Sequence, residues 1–131
     1  MSESIKSYQD LIVWKKSIHL CTEVYRITAN FPEAEKFGII NQIRRASVSI
    51  SSNIAEGWGR NSTKNYTQIL KISRGSLLET QSLLVISKQL NFLSDDEHEK
   101  TDLLVVEISK MLNKLISTLE NKNILNKEQI P

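Results

Sequence analysis

Glu79 and the neighbouring pair Arg44 and Arg45 are the residues whose types could do chemistry together. Ile69, Ile72, Ser76, Glu79, Leu83, Ile86 and Leu90 recur three and four apart, which predicts one inward seam of a helix with Glu79 inside it. A carboxylate in that place is costly unless it is paired. Arg44, on the flank of the apolar stripe of its own segment, is the expected partner, with Arg45 as the other candidate. Such a pair could form a catalytic carboxylate–arginine site. No nucleophile or metal set accompanies it, so the expected role is a structural ion pair that fixes helix register or a subunit interface.

Other groups carry less chemistry. His19 and Glu23 are four apart on one helix face, but two ligands make half a metal site. His98 lies in the acidic run Asp95-Asp96-Glu97-His98-Glu99, which reads as a solvated helix start. Cys21, the only cysteine, falls in an apolar seam and reads as inert core. Gly57-Trp58-Gly59-Arg60 lacks the Gly-Lys-Ser/Thr ending of a phosphate loop, and Trp14 and Trp58 read as packing residues. No catalytic group, metal site or cofactor is expected.

Arg60, Lys64, Lys71 and Arg74 form the one candidate binding set. Lys64 and Lys71 are seven apart, so they share a helix face; Arg74 lies to the side and Arg60 precedes the helix. Such a stripe could contact phosphate, unopposed by acids on that face, or could simply solubilise the surface. The charge balance favours the first. The net charge is +2, but residues 36–90 carry eight Lys/Arg against two Asp/Glu, or +6, whereas residues 1–35 stand at −1 and residues 91–131 at −3. The middle of the chain holds the electrostatic case for a polyanion.

The elements that must position these residues are helical. The 131 residues suit one domain, and the scarcity of Gly and Pro favours an all-helical class. A first helix is expected from about 10 to 29, with Leu11, Trp14, Ile18, Cys21 and Tyr25 as its seam, Leu20, Val24 and Ile27 beside it, and Asn30-Phe31-Pro32 as its stop. A second is expected over 33–57, carrying Ile39, Ile43, Ala46, Ile50, Ile54 and Gly57 as a stripe, with small serines around it that let other backbones come close. A third runs over 63–91 behind a Ser62 or Thr63 cap, and a fourth over 95–120 behind a Ser94–Glu97 capping box, with fraying after it. Short connections then predict an antiparallel up-down-up-down four-helix bundle.

The third helix has more apolar surface than one bundle can cover. Tyr66, Leu70, Ser73, Leu77, Thr80 and Leu84 make a second seam beside the first, and Leu78 and Val85 point away from both. Leu78 and Val85 are therefore the expected oligomer interface. No stretch resembles a signal peptide or a membrane span, which makes the cytoplasm the expected location.

Several runs resemble one family. Tyr8-Gln9-Asp10-Leu11-Ile12-Val13-Trp14, Phe31-Pro32-Glu33-Ala34-Glu35, Gln42-Ile43-Arg44-Arg45-Ala46, Ser49-Ile50, Asn53-Ile54-Ala55-Glu56-Gly57, Arg60, and Arg74-Gly75-Ser76 with Glu79 resemble the 23S rRNA-intervening-sequence proteins. The likeness covers roughly residues 8 to 93; Tyr66 stands where phenylalanine is usual, and Ser73 where alanine is usual. The resemblance implies a small bacterial four-helix bundle that assembles as a homopentamer. It implies no enzymatic activity. Some relatives are encoded inside insertions in ribosomal RNA genes; others are retroelement accessory proteins that bind nucleic acid and a reverse transcriptase. The expectation is a non-enzymatic oligomer that binds RNA or DNA, the alternative a ring-forming scaffold for a protein partner.

Overall fold

A computed structural model describes residues 4–128 of the chain. Four long helices make up most of it: α1 (Ile12–Thr28), α2 (Ile39–Trp58), α3 (Thr63–Gln89) and α4 (Asp95–Glu128). Short 3-10 turns at Tyr8–Asp10 and Glu33–Glu35 precede α1 and α2, and no strand occurs among the described residues. α1 packs on α2 and α4, and α3 packs on the same two helices from the other side. A single apolar cluster fills the space between them, built around Leu20, Val24, Ile43, Ile50, Leu70, Leu77, Ile108 and Leu112.

The buried polar residues are all serine or threonine, among the described residues. They enter the core because each hydroxyl has a carbonyl within reach. Ser17 donates to Val13 (2.8 Å), Thr28 to Val24 (2.7 Å), Thr80 to Ser76 (2.8 Å) and Ser87 to Leu83 (2.7 Å), each one turn back along its own helix. Ser73 instead reaches across, donating to the carbonyl of Ile50 on α2 at 2.7 Å. Small side chains with satisfied hydroxyls let α2 and α3 approach closely. Gly57 does the same at their end, where an added Cβ would sit 2.8 Å from the ring of Tyr66.

Three boundaries differ from the sequence reading. α2 starts at Ile39, because Gly38 adopts a non-helical conformation (φ −106, ψ −117) that separates it from the turn at Glu33–Glu35. α4 continues to Glu128, through residues expected to fray beyond about 120; residues 129–131 lie outside the described residues. Only half of the capping box forms at Ser94. Its hydroxyl accepts from the Glu97 backbone N–H (3.2 Å), but the Glu97 carboxylate accepts from the Arg26 guanidinium at 3.0 Å instead of reaching back. An ionised donor competes better for a carboxylate than a neutral amide does.

The faces of α1 and α3 are rotated from expectation. On α1 the buried line is Val13, Ser17, Leu20, Val24 and Ile27, while Tyr25 is exposed. On α3 it is Leu70, Ser73, Leu77, Thr80, Leu84 and Ser87, the second of the two seams. Of the other seam, Leu83 is buried, but Ile72, Glu79, Ile86 and Leu90 are exposed. No described helix is long and apolar enough to cross a membrane.

Candidate nucleic-acid interface

Glu79 is not buried and forms no ion pair with Arg44 or Arg45, among the described residues. The reason is the rotation of α3, which turns the whole Ile72–Glu79–Ile86 line outward. Arg44 is occupied elsewhere. Its Nε donates to the Thr28 hydroxyl (2.9 Å), its Nη2 to the Tyr25 carbonyl (3.4 Å), and its guanidinium lies 4.6 Å from the centre of the Tyr25 ring. This arginine closes the C-terminal end of α1, where the negative end of the helix dipole favours a cation. Arg45 is exposed. With Glu79, Ser49 and Ser76 it lines an open cleft of about 520 Å³ between the start of α2 and the middle of α3, in which Ser76 donates to Ser49 at 3.0 Å. Sequence spacing brings the right residues into one neighbourhood, but within one chain Glu79 pairs with neither arginine among the described residues.

The basic set lies mostly along the flank of α3 that follows α4. Lys64 and Lys71 line a shallow cleft with Thr67, Gln68 and Glu120, and Arg74 donates to the Asn113 side chain at 3.0 Å. The expectation that no acid opposes these cations is corrected at two of them. Lys71 pairs with Glu120 (3.2 Å), and Arg60 pairs with Glu56 (2.5 Å). α4 supplies Glu120 from across the α3–α4 seam, and Glu56 is one helical turn before Arg60. Both pairs are exposed, so each contributes little stability and competes weakly for an incoming phosphate. Lys64 and Arg74 carry no acid partner among the described residues.

Leu78 and Val85 are 55% and 42% exposed on α3, too much for core residues. Two hydrogen bonds across the α3–α4 seam, Gln81 to Asp102 and Arg74 to Asn113, bracket Leu78, so it shares a flank with the basic residues. Sequence reading treats the two sets as separate surfaces. The helical angles are in the sequence; the position of α4 that gathers them is not.

Elsewhere, His19 and Glu23 meet at 3.7 Å, and no group of three or more His, Cys, Asp or Glu is placed to hold a metal among the described residues. Cys21 is half-buried, with its sulfur 3.7 Å from the Ser47 hydroxyl. His98 is not a solvated side chain: its Nε2 is buried without a hydrogen-bond partner. Tyr66 has a buried, unpartnered hydroxyl as well, and burial pushes its phenol above the usual tyrosine range.

These features define an all-helical protein whose four helices enclose a hydroxyl-lined core and whose third helix presents both cations and apolar side chains. The chain belongs to the family of 23S rRNA-intervening sequence proteins, whose profile matches residues 9–114. Among solved structures it is similar to a protein of unknown function from the S23 ribosomal protein family of Bacteroides thetaiotaomicron. The two are 25% identical with a TM-score of 0.73, over 80% of this chain and 98% of that one. No curated protein matches the sequence.

Proposed function

We propose that this chain is a non-enzymatic, homo-oligomeric nucleic-acid-binding or RNA-accessory protein of the cytoplasm, built as an antiparallel up-down-up-down bundle. The topology is supported by the registers of the cross-helix contacts. Ser73 and Ser76 of α3 meet Ile50 and Ser49 of α2, and Lys16 and Arg26 of α1 meet Glu107 and Glu97 of α4, so the numbers run in opposite senses in both pairs. Oligomerisation is supported by the exposed apolar residues of α3, and a count of five by the family resemblance alone.

Nucleic-acid binding rests on one observation: Lys64, Lys71 and Arg74 lie along a single flank of α3, within a segment of charge +6. Repeated in every subunit of an assembly, that flank would form a much stronger field than one copy carries. Phosphate contacts of this kind position a polyanion and carry little base information. Binding is therefore sequence-tolerant and steeply weakened by salt. The test is fluorescence anisotropy with labelled RNA and DNA at low and rising salt, for the parent and for the triple variant Lys64→Gln, Lys71→Gln, Arg74→Gln. The expected result is lower affinity and a shallower salt slope in the variant. Unchanged affinity would move the site elsewhere.

The second reading is a ring-forming scaffold that binds a protein partner, such as a reverse transcriptase, without touching nucleic acid. The Lys71–Glu120 and Arg60–Glu56 pairs favour it, since they already neutralise half of the basic set. No retained RNA or DNA at low salt would put this reading first.

A further inference from the structure

The exposed line of α3 has features that nothing within the chain uses. Ile72, Glu79 and Ile86 are seven apart and lie on one outward strip, with Leu90 four residues beyond. A seven-residue repeat is the spacing at which one helix meets another along its length. Ile72, Ile86 and Leu90 are 57%, 44% and 52% exposed. Gly75 lies beside this strip in the middle of a 27-residue helix, where glycine is a poor helix former. A Cβ at Gly75 would meet nothing within 4 Å, so no neighbour inside the chain explains the missing side chain. Gly57, by contrast, is explained by Tyr66. Space kept open beside an apolar strip fits the close approach of a backbone from outside.

Charge identifies what approaches. Glu79 sits in the middle of the strip without an ion-pair partner, and Arg45 lines the cleft beside it, also without one, among the described residues. The surface thus offers one cation and one anion, each unmatched, next to apolar side chains at helical spacing. Such a surface is complementary to a second copy of itself.

We infer that the Ile72–Gly75–Glu79–Ile86 strip of α3 is the seam between copies of this chain, with Glu79 of one copy paired to Arg45 of the next. The inference rests on the oligomeric reading above and places the contact on a different face from Leu78 and Val85. A charged pair within an apolar seam fixes register, as polar residues do at coiled-coil core positions.

The experiment exchanges the charges. Glu79→Arg and Arg45→Glu are made separately, and each protein's mass is read by light scattering at micromolar concentration, with helical content checked by circular dichroism. Each variant alone places like charges across the seam and is expected to lose assembly while keeping its fold. Mixed in equal amounts, the two variants restore opposite charges across every seam between unlike copies. The mixture is expected to form a joint assembly heavier than either variant alone. Variants that stay assembled would overturn the inference and leave the oligomeric reading standing. Loss of fold in either single variant, or rescue only when both changes are in one chain, would place the pair within the chain and also overturn it. A monomeric parent protein would overturn both readings.

Discussion

Two faces of α3 carry the same spacing and meet opposite environments. The inner line, Leu70, Ser73, Leu77, Thr80, Leu84 and Ser87, alternates a large apolar residue with a small hydroxyl and is buried throughout. The outer line, Ile72, Glu79 and Ile86, alternates β-branched apolar residues with a carboxylate and is exposed. Apolar periodicity alone ranks the outer line equal or better, since it contains isoleucines where the inner line has serines. The decisive property is whether each polar group can be satisfied locally. A serine or threonine hydroxyl reaches a carbonyl one turn back in its own helix, at 2.7–2.8 Å for Thr80 and Ser87, and so travels inward at little cost. An ionised carboxylate only accepts, so a carbonyl one turn back cannot satisfy it, and it stays in water until a cation from elsewhere meets it.

The largest effect should separate the two lines directly. Leu77 is fully buried, so Leu77→Ala should cost about 2–5 kcal/mol through lost burial and the cavity left behind. Ile86→Ala on the outer line should change the stability of a single chain by no more than about 0.5 kcal/mol. Urea melts of both variants check this at dilutions where the protein is monomeric. Equal losses would mean that the two faces are not distinct.

The two helical glycines offer a smaller and sharper contrast. Gly57→Ala drives a methyl group into the Tyr66 ring and should destabilise by about 1–3 kcal/mol, as overpacking does. Gly75→Ala meets nothing within the chain and should stabilise the isolated chain by up to about 1 kcal/mol, the difference in helix propensity. If the outer line is a seam between copies, Gly75→Ala should at the same time weaken assembly. Thermal melts and light scattering on the same samples measure the two effects separately.

The smallest effect concerns pH. Burial holds the Tyr66 phenol above its ordinary value of 10.0, so the folded chain keeps that proton longer than the unfolded chain does. Stability should then be level through neutral pH and decline as pH rises past the ordinary tyrosine value. Tyr66→Phe should remove that decline and should also remove a buried hydroxyl that has no partner. A decline of the same size in Tyr66→Phe would assign it to another group.

Much of the architecture is legible in the sequence because its signals are local. Ser62 caps α3 by accepting from the Asn65 N–H at 3.1 Å, where its residue type predicts a cap. The four helices follow from the same punctuation. The buried stripe of α2 is legible, but the orientation of α1 and α3 about their axes is not, because Ser17, Thr28 and Ser87 look polar in a sequence and behave as core residues once their hydroxyls are satisfied. The site suffers from the same gap. Arg44, Arg45 and Glu79 are correctly singled out, but the Arg44 partners are Thr28 and the Tyr25 carbonyl, groups that no charge pattern announces. Glu120 escapes notice because it lies 49 residues from Lys71 in the chain and meets it only through α4.

The hydroxyl-lined interior also bears on calorimetry. Unfolding hydrates apolar surface, which raises the heat capacity, and polar surface, which lowers it. This core releases serine and threonine side chains together with its leucines and isoleucines. The heat-capacity increment per residue should be smaller than for a bundle of the same length with a purely aliphatic interior. The curve of stability against temperature is then broader and flatter, with cold unfolding displaced to lower temperature.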